Sequence, residues 1–118
     1  MRRFSQGKRE LEIAPNVTRA LLLSSEQYTL TKLHLSRKAE SSLHAHPHVQ
    51  LVFLLAGKGL FRLGDDNFVL KSGDCIHVPG NVPHGFVKIV RTISMLEFFI
   101  PARKDIVDFH SRKDDEAP

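Results

Sequence analysis

The sequence predicts an all-β domain folded as a sandwich or barrel, and three observations support this prediction. Short runs of Val, Leu, Ile and Phe recur along the chain with turn residues between them, a spacing typical of such folds. Residues 60–70 carry a hairpin signal, because Gly64 and two aspartates separate two apolar runs. No segment with helical periodicity is long enough to cover a sheet.

Length and charge limit the possible functions. The 118 residues allow one domain, and the formal net charge of +4 reflects basic residues crowded into the first ten positions. Bases elsewhere are interspersed with acids and form no aromatic-rich basic face, so we expect no nucleic-acid partner. The surplus positive charge instead favours small anions. The absence of a membrane-length apolar run or a signal-peptide core predicts a cytoplasmic protein without a membrane partner.

The elements are predicted in chain order as follows. Residues 1–10 form a flexible basic terminus, 11–111 the β-domain, and 112–118 a charged solvated tail. Gly57 and Gly59 belong to a turn, and residues 104–111 form a helical turn packed on the domain. Cys75, the single cysteine, lies in a short strand where a buried structural thiol is expected. The other candidate strands are 11–13, 17–24, 28–36, 51–55, 60–63, 67–70, 85–90 and 92–100.

A histidine-rich segment precedes the most apolar of these strands. Residues two apart on a strand share a face, so His44 and His46 are neighbours and Gln50 returns to their face. Imidazoles placed in this way suit a divalent metal ion, with ligand bonds of roughly 2.0–2.2 Å. Taken alone, the segment is a weak signal that is also consistent with a polar loop. A second segment, rich in proline and glycine, ends on His84 and supplies a further candidate ligand.

Together these two segments resemble the two motifs of the cupin family. The resemblance implies a small antiparallel jelly-roll barrel with a divalent metal ion in its mouth, held by His44, His46, Gln50 and His84. The ion would be nickel, iron, manganese, cobalt or zinc, because this set of nitrogen and oxygen ligands accepts each of them. Six residues match the family spacing: His44, His46, Gly57, Gly73, Pro79 and His84.

Two positions in the first motif distinguish this chain. Gln50 stands where the family has glutamate, so four neutral ligands would leave the ion its full charge and favour anionic substrates. His48 has the same strand parity as the ligands, but Pro47 interrupts the strand and the motif spacing skips His48. We therefore expect His48 to line the mouth or to support the ligands rather than to bind the metal.

The last strand adds an acid and, beyond Pro101, an arginine. Glu97 stands among apolar neighbours, which would raise the pKa of its carboxyl and suit it to proton transfer. The alternative for Glu97 is an exposed edge position or a structural ion pair. Arg103 could hold a carboxylate through two parallel hydrogen bonds, and the alternative is an ordinary surface arginine.

A narrower resemblance is carried by the histidine segment together with Glu97, Phe99, Pro101 and Arg103, which are similar to the KdgF-type cupins of uronate catabolism. It implies non-redox conversion of 4,5-unsaturated monouronates into linear keto forms. In that mechanism Glu97 moves protons, Arg103 holds the substrate carboxylate, and Phe99 and His48 help to bind the small anionic substrate. The family usually has aspartate at the position of Glu97.

Two other functions use the same residues: a metal-dependent dioxygenase, and a non-catalytic cupin that binds a small molecule. The sequence also predicts a homodimer. Both faces of residues 51–55 and 93–100 are largely apolar, so one face fills the barrel and the other needs cover. The cupin resemblance implies the same association, through sheet edges.

Overall fold

The computed structural model describes residues 9–116, which form seven β-strands followed by one α-helix. Every strand pair is antiparallel. The predicted fold class, an all-β antiparallel barrel of the jelly-roll type, is therefore confirmed. The elements are β1 (Glu10–Ala14), β2 (Val17–Ser24), β3 (Thr29–Leu35), β4 (Val49–Leu63), β5 (Asp66–Lys71), β6 (Cys75–Val78), β7 (His84–Ile100) and α1 (Lys104–Glu116).

The two long strands β4 and β7 organise the barrel. They pair along almost their whole length, from Val49 opposite Ile100 to Leu63 opposite His84. On its other edge β4 pairs first with β6 and then with β5, while β3, β2 and β1 extend the sheet from β7. An isolated bridge between His44 and His84 joins the segment before β4 to the start of β7, and this contact closes the barrel.

The structure corrects two predictions about β4 and β7. The expected turn at Gly57–Gly59 is a series of bulges inside β4, where the register against β7 shifts repeatedly. Gly57 has a φ of 96°, and a Cβ there would lie 2.2 Å from the carbonyl oxygen of Thr92, so glycine is required for this approach. Likewise β7 runs unbroken through Arg91, where two separate strands were predicted. Both strands bend around the barrel instead of reversing.

The bulges also change which residues face inward. Before them Val52 and Leu54 of β4 point into the barrel, and after them Phe61 does, so the alternation passes from even to odd positions. The result is one continuous core across both halves of the sheet. Its buried members are Leu33, Val52, Leu54, Phe61, Leu70, Val78, Phe86, Ile93 and Met95.

At the periphery, the hairpin prediction is confirmed and the prediction for Cys75 needs correction. The hairpin is present, with β4 ending at Leu63 and β5 beginning at Asp66. Cys75 is exposed rather than buried, because it pairs with Phe53, whose side chain lies on the outer face.

Helix α1 continues to Glu116, through residues that we assigned to the charged tail. Ile106 and His110 lie one turn apart on its buried side. Because histidine is not an apolar residue, the sequence pattern does not indicate that position 110 is buried. The first eight residues of the predicted basic terminus lie outside the described part of the chain. Within the described part, no helix is long and apolar enough to cross a membrane.

Candidate metal centre

The site forms where the barrel closes, at the joint between the segment before β4 and the first residue of β7. The main chains of His44 and His84 exchange two hydrogen bonds, of 3.1 and 2.9 Å. The loop before β7 packs against the first histidine segment, and the Asn81 amide donates to the His46 carbonyl at 2.7 Å. Gly80 permits this approach, since a Cβ there would lie 2.4 Å from the Pro47 carbonyl oxygen.

This closure brings all four predicted ligands together. The ligand nitrogens of His44, His46 and His84 lie within 4.8 Å of one another. The side-chain oxygen Oε1 of Gln50, the second residue of β4, lies 2.9 Å from His46 Nε2 and 3.0 Å from His84 Nε2. His44 is exposed, His46 half-buried and His84 buried, so the cluster is open on the side of His44.

The donor set fits a divalent cation. His46 Nδ1 donates to the carbonyl of His48 at 3.0 Å, and His84 Nδ1 donates to the carbonyl of Val82 at 2.9 Å. These bonds place the ring protons on Nδ1, so both Nε2 atoms present lone pairs to the cluster. Gln50 Oε1 is also only an acceptor. Lone pairs that converge without a proton between them call for a cation at that point.

The charge state of the histidines agrees with this arrangement. Burial, together with the neighbouring His84 and His46, lowers the pKa of His44 to about 4. Burial also lowers the pKa of His84 below its ordinary value. Neutral imidazole is the form that binds a metal ion, so these rings are ready to act as ligands at neutral pH.

Glu97 lies directly behind Gln50, inside the barrel. The Gln50 amide donates to Glu97 Oε2, which turns Oε1 of Gln50 toward the histidines. Thr31 donates its hydroxyl to Glu97 Oε1 at 3.4 Å. Burial raises the pKa of Glu97 to about 7, although the charges of Arg19 and Arg103 oppose the shift. The raised pKa expected from its apolar neighbours is thus present, and its role in proton transfer stays a prediction.

The remaining predicted site residues lie beside the cluster, toward the end of β7. The buried Phe99 ring stands 5.6 Å from the His46 ring, edge to face, and Arg103 lies 4.9 Å above the Phe99 ring. His48 orients His46 through its carbonyl, while its own ring contributes no atom to the cluster. The part of the His48 side chain in lining the mouth or binding substrate stays a prediction.

Arg103 is engaged by its own chain. Its Nε and Nη2 donate to the two carboxylate oxygens of Asp105 at 2.9 and 2.8 Å, and its backbone amide donates to Thr29 Oγ1. The side chain of Arg103 is 17% exposed and that of Asp105 is 66% exposed, so the pair sits at the surface end of the barrel. A substrate carboxylate would share or replace Asp105 on the same fork of donors.

Sequence reasoning missed a second arginine on the inner side. Arg19 of β2 donates from Nε to His110 Nε2 of α1 at 3.1 Å and stacks 5.5 Å above Phe109. The positive charge of Arg19 is the largest influence that opposes the raised pKa of Glu97. The available signal was strand parity. Val17, Arg19 and Leu21 share one face of β2, and the residues of β3 that pair with them face inward.

A cavity of about 370 Å³ adjoins the cluster. His44, Gln50, His84 and Glu97 line it, whereas Arg103 does not. Glu40, Ser41 and Ser42 lie at other points of its wall, and the rest of the wall is mainly apolar. The apolar side chains include Ile13, Val17, Leu33, Leu35, Phe86 and Ile89.

A closed antiparallel barrel with three inward-turned histidines at its mouth defines the cupin class of protein. The chain belongs to this family, since the Cupin domain profile matches residues 32–95. Three histidines are positioned to hold a metal ion, as the family resemblance implied.

The chain is similar in sequence and in structure to KdgF proteins. It is 24% identical over 97 residues to the pectin degradation protein KdgF of Dickeya dadantii, covering 81% of this chain and 88% of that protein. The structure of KdgF from Halomonas sp. superposes with a TM-score of 0.83 at 20% identity, covering 90% of this chain and 98% of that one. An RmlC-like cupin from Shewanella frigidimarina gives the same TM-score at 27% identity, with coverages of 90% and 96%.

Proposed function

We propose that this protein is a metal-dependent enzyme that opens and ketonises a 4,5-unsaturated monouronate, or a similar small anionic sugar acid, without a redox step. One observation carries the proposal: the buried carboxyl of Glu97 is hydrogen-bonded to Gln50, whose other amide atom faces the histidine cluster. A proton-transfer group and a cation-binding group are therefore one side chain apart. The similarity to KdgF proteins supports the choice of substrate.

The reaction is an isomerisation. The bond between the ring oxygen and the anomeric carbon breaks, the anomeric hydroxyl loses its proton to leave an aldehyde, and the ring oxygen becomes an enol hydroxyl. The enol then becomes a ketone as a proton is added to the neighbouring carbon. No electrons are gained or lost, and each proton taken from an oxygen is balanced by one returned to the product.

Each site residue has a defined task in this scheme. His44, His46, Gln50 and His84 would hold a divalent ion, whose contribution when bound is Lewis-acid polarisation of substrate oxygens. Glu97, with a pKa of about 7, can both accept and return a proton near neutral pH.

The groups at the end of β7 would position the substrate. Arg103 offers two parallel donors to the substrate carboxylate in place of Asp105. Phe99 holds Arg103 from below, because the guanidinium lies 4.9 Å above its ring, and so limits the movement of the donors.

The test is turnover of an unsaturated uronate by the metal-loaded protein, followed by the loss of ultraviolet absorbance of the conjugated double bond, with products identified by NMR. Glu97→Gln should lower kcat by about a hundredfold, the usual scale for a lost general acid or base. Glu12→Gln, an identical change at an exposed position of β1, is the matched control and should leave kcat unchanged.

Four outcomes would contradict the proposal. Absence of turnover in the unaltered protein would overturn the substrate. Turnover that depends on oxygen and consumes it would favour a dioxygenase, and saturable uronate binding without product would favour a binding protein. Equal kcat values for Glu97→Gln and Glu12→Gln would move proton transfer away from Glu97.

We also propose that the protein forms a homodimer through the outer face of the sheet. Leu51, Phe53 and Leu55 of β4 are 43%, 41% and 40% exposed, and Ile100 of β7 is 44% exposed. They lie on neighbouring strands around an apolar groove that also includes Leu96 and Phe98. A second copy of the same face is the self-complementary cover that a twofold axis provides.

A further inference from the structure

We propose that the cavity beside the histidine cluster takes an apolar group of the substrate. A second substrate class is then a small carboxylic acid with keto or enol oxygens at the cluster and an aliphatic or aromatic body in the cavity. This inference rests on the proposed metal-dependent chemistry at the same cluster and goes beyond the uronate, whose carboxylate is assigned to Arg103 outside the cavity lining.

The composition of the cavity wall carries the inference. Its polar side chains are those of His44, Gln50, His84 and Glu97, and those of residues 40–42 in the segment before β4. The rest of the wall consists mainly of apolar side chains from β1, β2, β3, β4 and β7. Oxygens of a ligand therefore find side-chain partners only at the cluster and beside residues 40–42.

A sugar ring would lack hydrogen-bond partners against the apolar wall of this cavity. Its hydroxyls would lose water without gaining partners along the apolar wall, and each unpaired hydroxyl costs roughly 1–3 kcal/mol. Apolar groups in the same space gain the free energy of leaving water at no such cost. The wall therefore selects against hydroxyls and in favour of hydrocarbon.

The size of the cavity sets the size of the group. Its volume of about 370 Å³ is more than twice that of an apolar cavity of roughly 150 Å³ that holds a benzene ring. It also lies within the range of roughly 300–1,000 Å³ typical of small-molecule sites. Glu40, an acidic residue of the wall, disfavours a second anionic group of the ligand near it.

A homologous series of α-keto acids tests the inference. Pyruvate, α-ketobutyrate, α-ketohexanoate and α-ketooctanoate all present the same two oxygens to the cluster and differ only in the length of the chain. Their dissociation constants for the metal-loaded protein are measured by isothermal titration calorimetry. Each added methylene should tighten binding by about fourfold until the cavity is filled.

Val17 supplies the test variants, because it is a half-buried wall residue of β2 outside the cluster. Val17→Phe narrows the cavity and should reduce the gain for the longer acids while leaving the affinity for pyruvate unchanged. Val17→Thr keeps the shape and adds a hydroxyl, so it should weaken α-ketooctanoate by about fivefold. The matched control is Val69→Phe on β5, where the side chain is 59% exposed and away from the cavity. Metal content and circular dichroism confirm that each variant is folded and loaded.

The outcomes separate this inference from the proposed function. If the affinity does not rise with the length of the acid, or if no acid binds, the inference is overturned whether or not the uronate is turned over. If the affinity rises with length but Val17→Phe and Val17→Thr leave that rise unchanged, the inference is also overturned, because the carbon chain of the acid then binds elsewhere. A rise in affinity that both variants reduce supports the inference. That result, found together with no uronate turnover, would overturn the uronate assignment and keep the apolar subsite.

Discussion

The two faces of β4 show opposite departures from the usual distribution of side chains. On the inner face Gln50 is 1% exposed, and on the neighbouring β7 Glu97 is 7% exposed. On the outer face Leu51 and Phe53 are 43% and 41% exposed. Buried polar groups and exposed apolar clusters are the informative exceptions in a small domain. The same two strands thus carry a chemical site on one side and a candidate contact surface on the other.

The inner face tolerates its polar groups because they are paired. Glu97 accepts hydrogen bonds from Thr31 and Gln50, and Gln50 in turn faces His46 and His84. Apart from the lone pairs that converge in the cluster, the only buried side-chain nitrogen or oxygen without a partner among the described residues is Nδ1 of His48. The hydrogen bonds behind the cluster hold the site residues in fixed orientations, which a ligand site requires. The outer face has no such internal pairing and is the surface of the proposed dimer.

The largest effect is expected at the inner face. His84→Ala removes a buried histidine of the cluster and should weaken metal binding by more than about a hundredfold, since losing only a supporting group already costs about 10–100-fold. Metal content after dialysis, measured by elemental analysis, gives the result. His77→Ala is the matched control, because His77 is exposed on the neighbouring β6 and lies outside the cluster. Full metal occupancy in folded His84→Ala protein would show that the ligand set is wrong.

The fold and the cluster could be predicted from sequence because both depend on local patterns. Strand periodicity gave the all-β class, and motif spacing brought His44, His46 and His84 together. The bends in β4 and β7 could not be predicted, because a glycine such as Gly57 signals a turn unless its partner strand is known. The exposure of Cys75 likewise depends on which face of β4 it pairs with.

Contacts between distant elements were also outside the reach of sequence. The contact between Arg19 and His110 joins β2 to α1 across 91 positions of the sequence. The cavity depends on residues from β1, β2, β3 and β7 at once. No local pattern encodes such combinations, which follow from the barrel closure.

The outer face gives the next largest effect. Phe53→Asp places a charge in the centre of the exposed apolar groove and should weaken the proposed dimer by roughly thirtyfold or more, the scale of a central contact residue. Sedimentation velocity over a range of concentrations measures the change. Phe68→Asp on β5 is the matched control, since Phe68 has the same exposure of 41% and does not line the groove. A monomer in the unaltered protein at high micromolar concentration would refute the dimer itself.

Arg103 tests whether the inner site extends to the end of β7. Arg103→Ala should raise KM for an anionic substrate by about tenfold with a smaller change in kcat, because it removes a charged pair of hydrogen bonds from the bound carboxylate. Arg103→Lys should recover only part of the loss, since an ammonium cannot form the parallel pair. Asp105→Asn should lower KM, because it frees the donors that Asp105 occupies. An unchanged KM in all three variants would remove Arg103 from the substrate site.

The smallest effect concerns a buried polar pair that belongs to neither the site nor the outer face. His110 is 4% exposed and accepts a hydrogen bond from Arg19, and burial with that neighbouring charge lowers its pKa to about 4. Asp114 of the same helix acts weakly in the opposite direction. In the unfolded chain the pKa of a histidine is about 6.5, so the unfolded state binds the proton more tightly. The stability due to neutral His110 is therefore complete above pH 6.5 and is lost as pH falls toward 4.

His110→Gln isolates this contribution, because the amide oxygen can still accept from Arg19 and does not titrate. Between pH 7.5 and 5.5 the unaltered protein should lose about 1 kcal/mol more unfolding free energy than the variant, measured by urea denaturation at each pH. Using the difference between the two proteins cancels the titration of the histidine cluster, which is the same in both. Parallel stability curves would show that His110 titrates alike in the folded and unfolded states. Buried polar groups would then matter only at the candidate metal site. Diverging curves would instead show that the contact between α1 and β2 also depends on a buried polar group, the neutral His110.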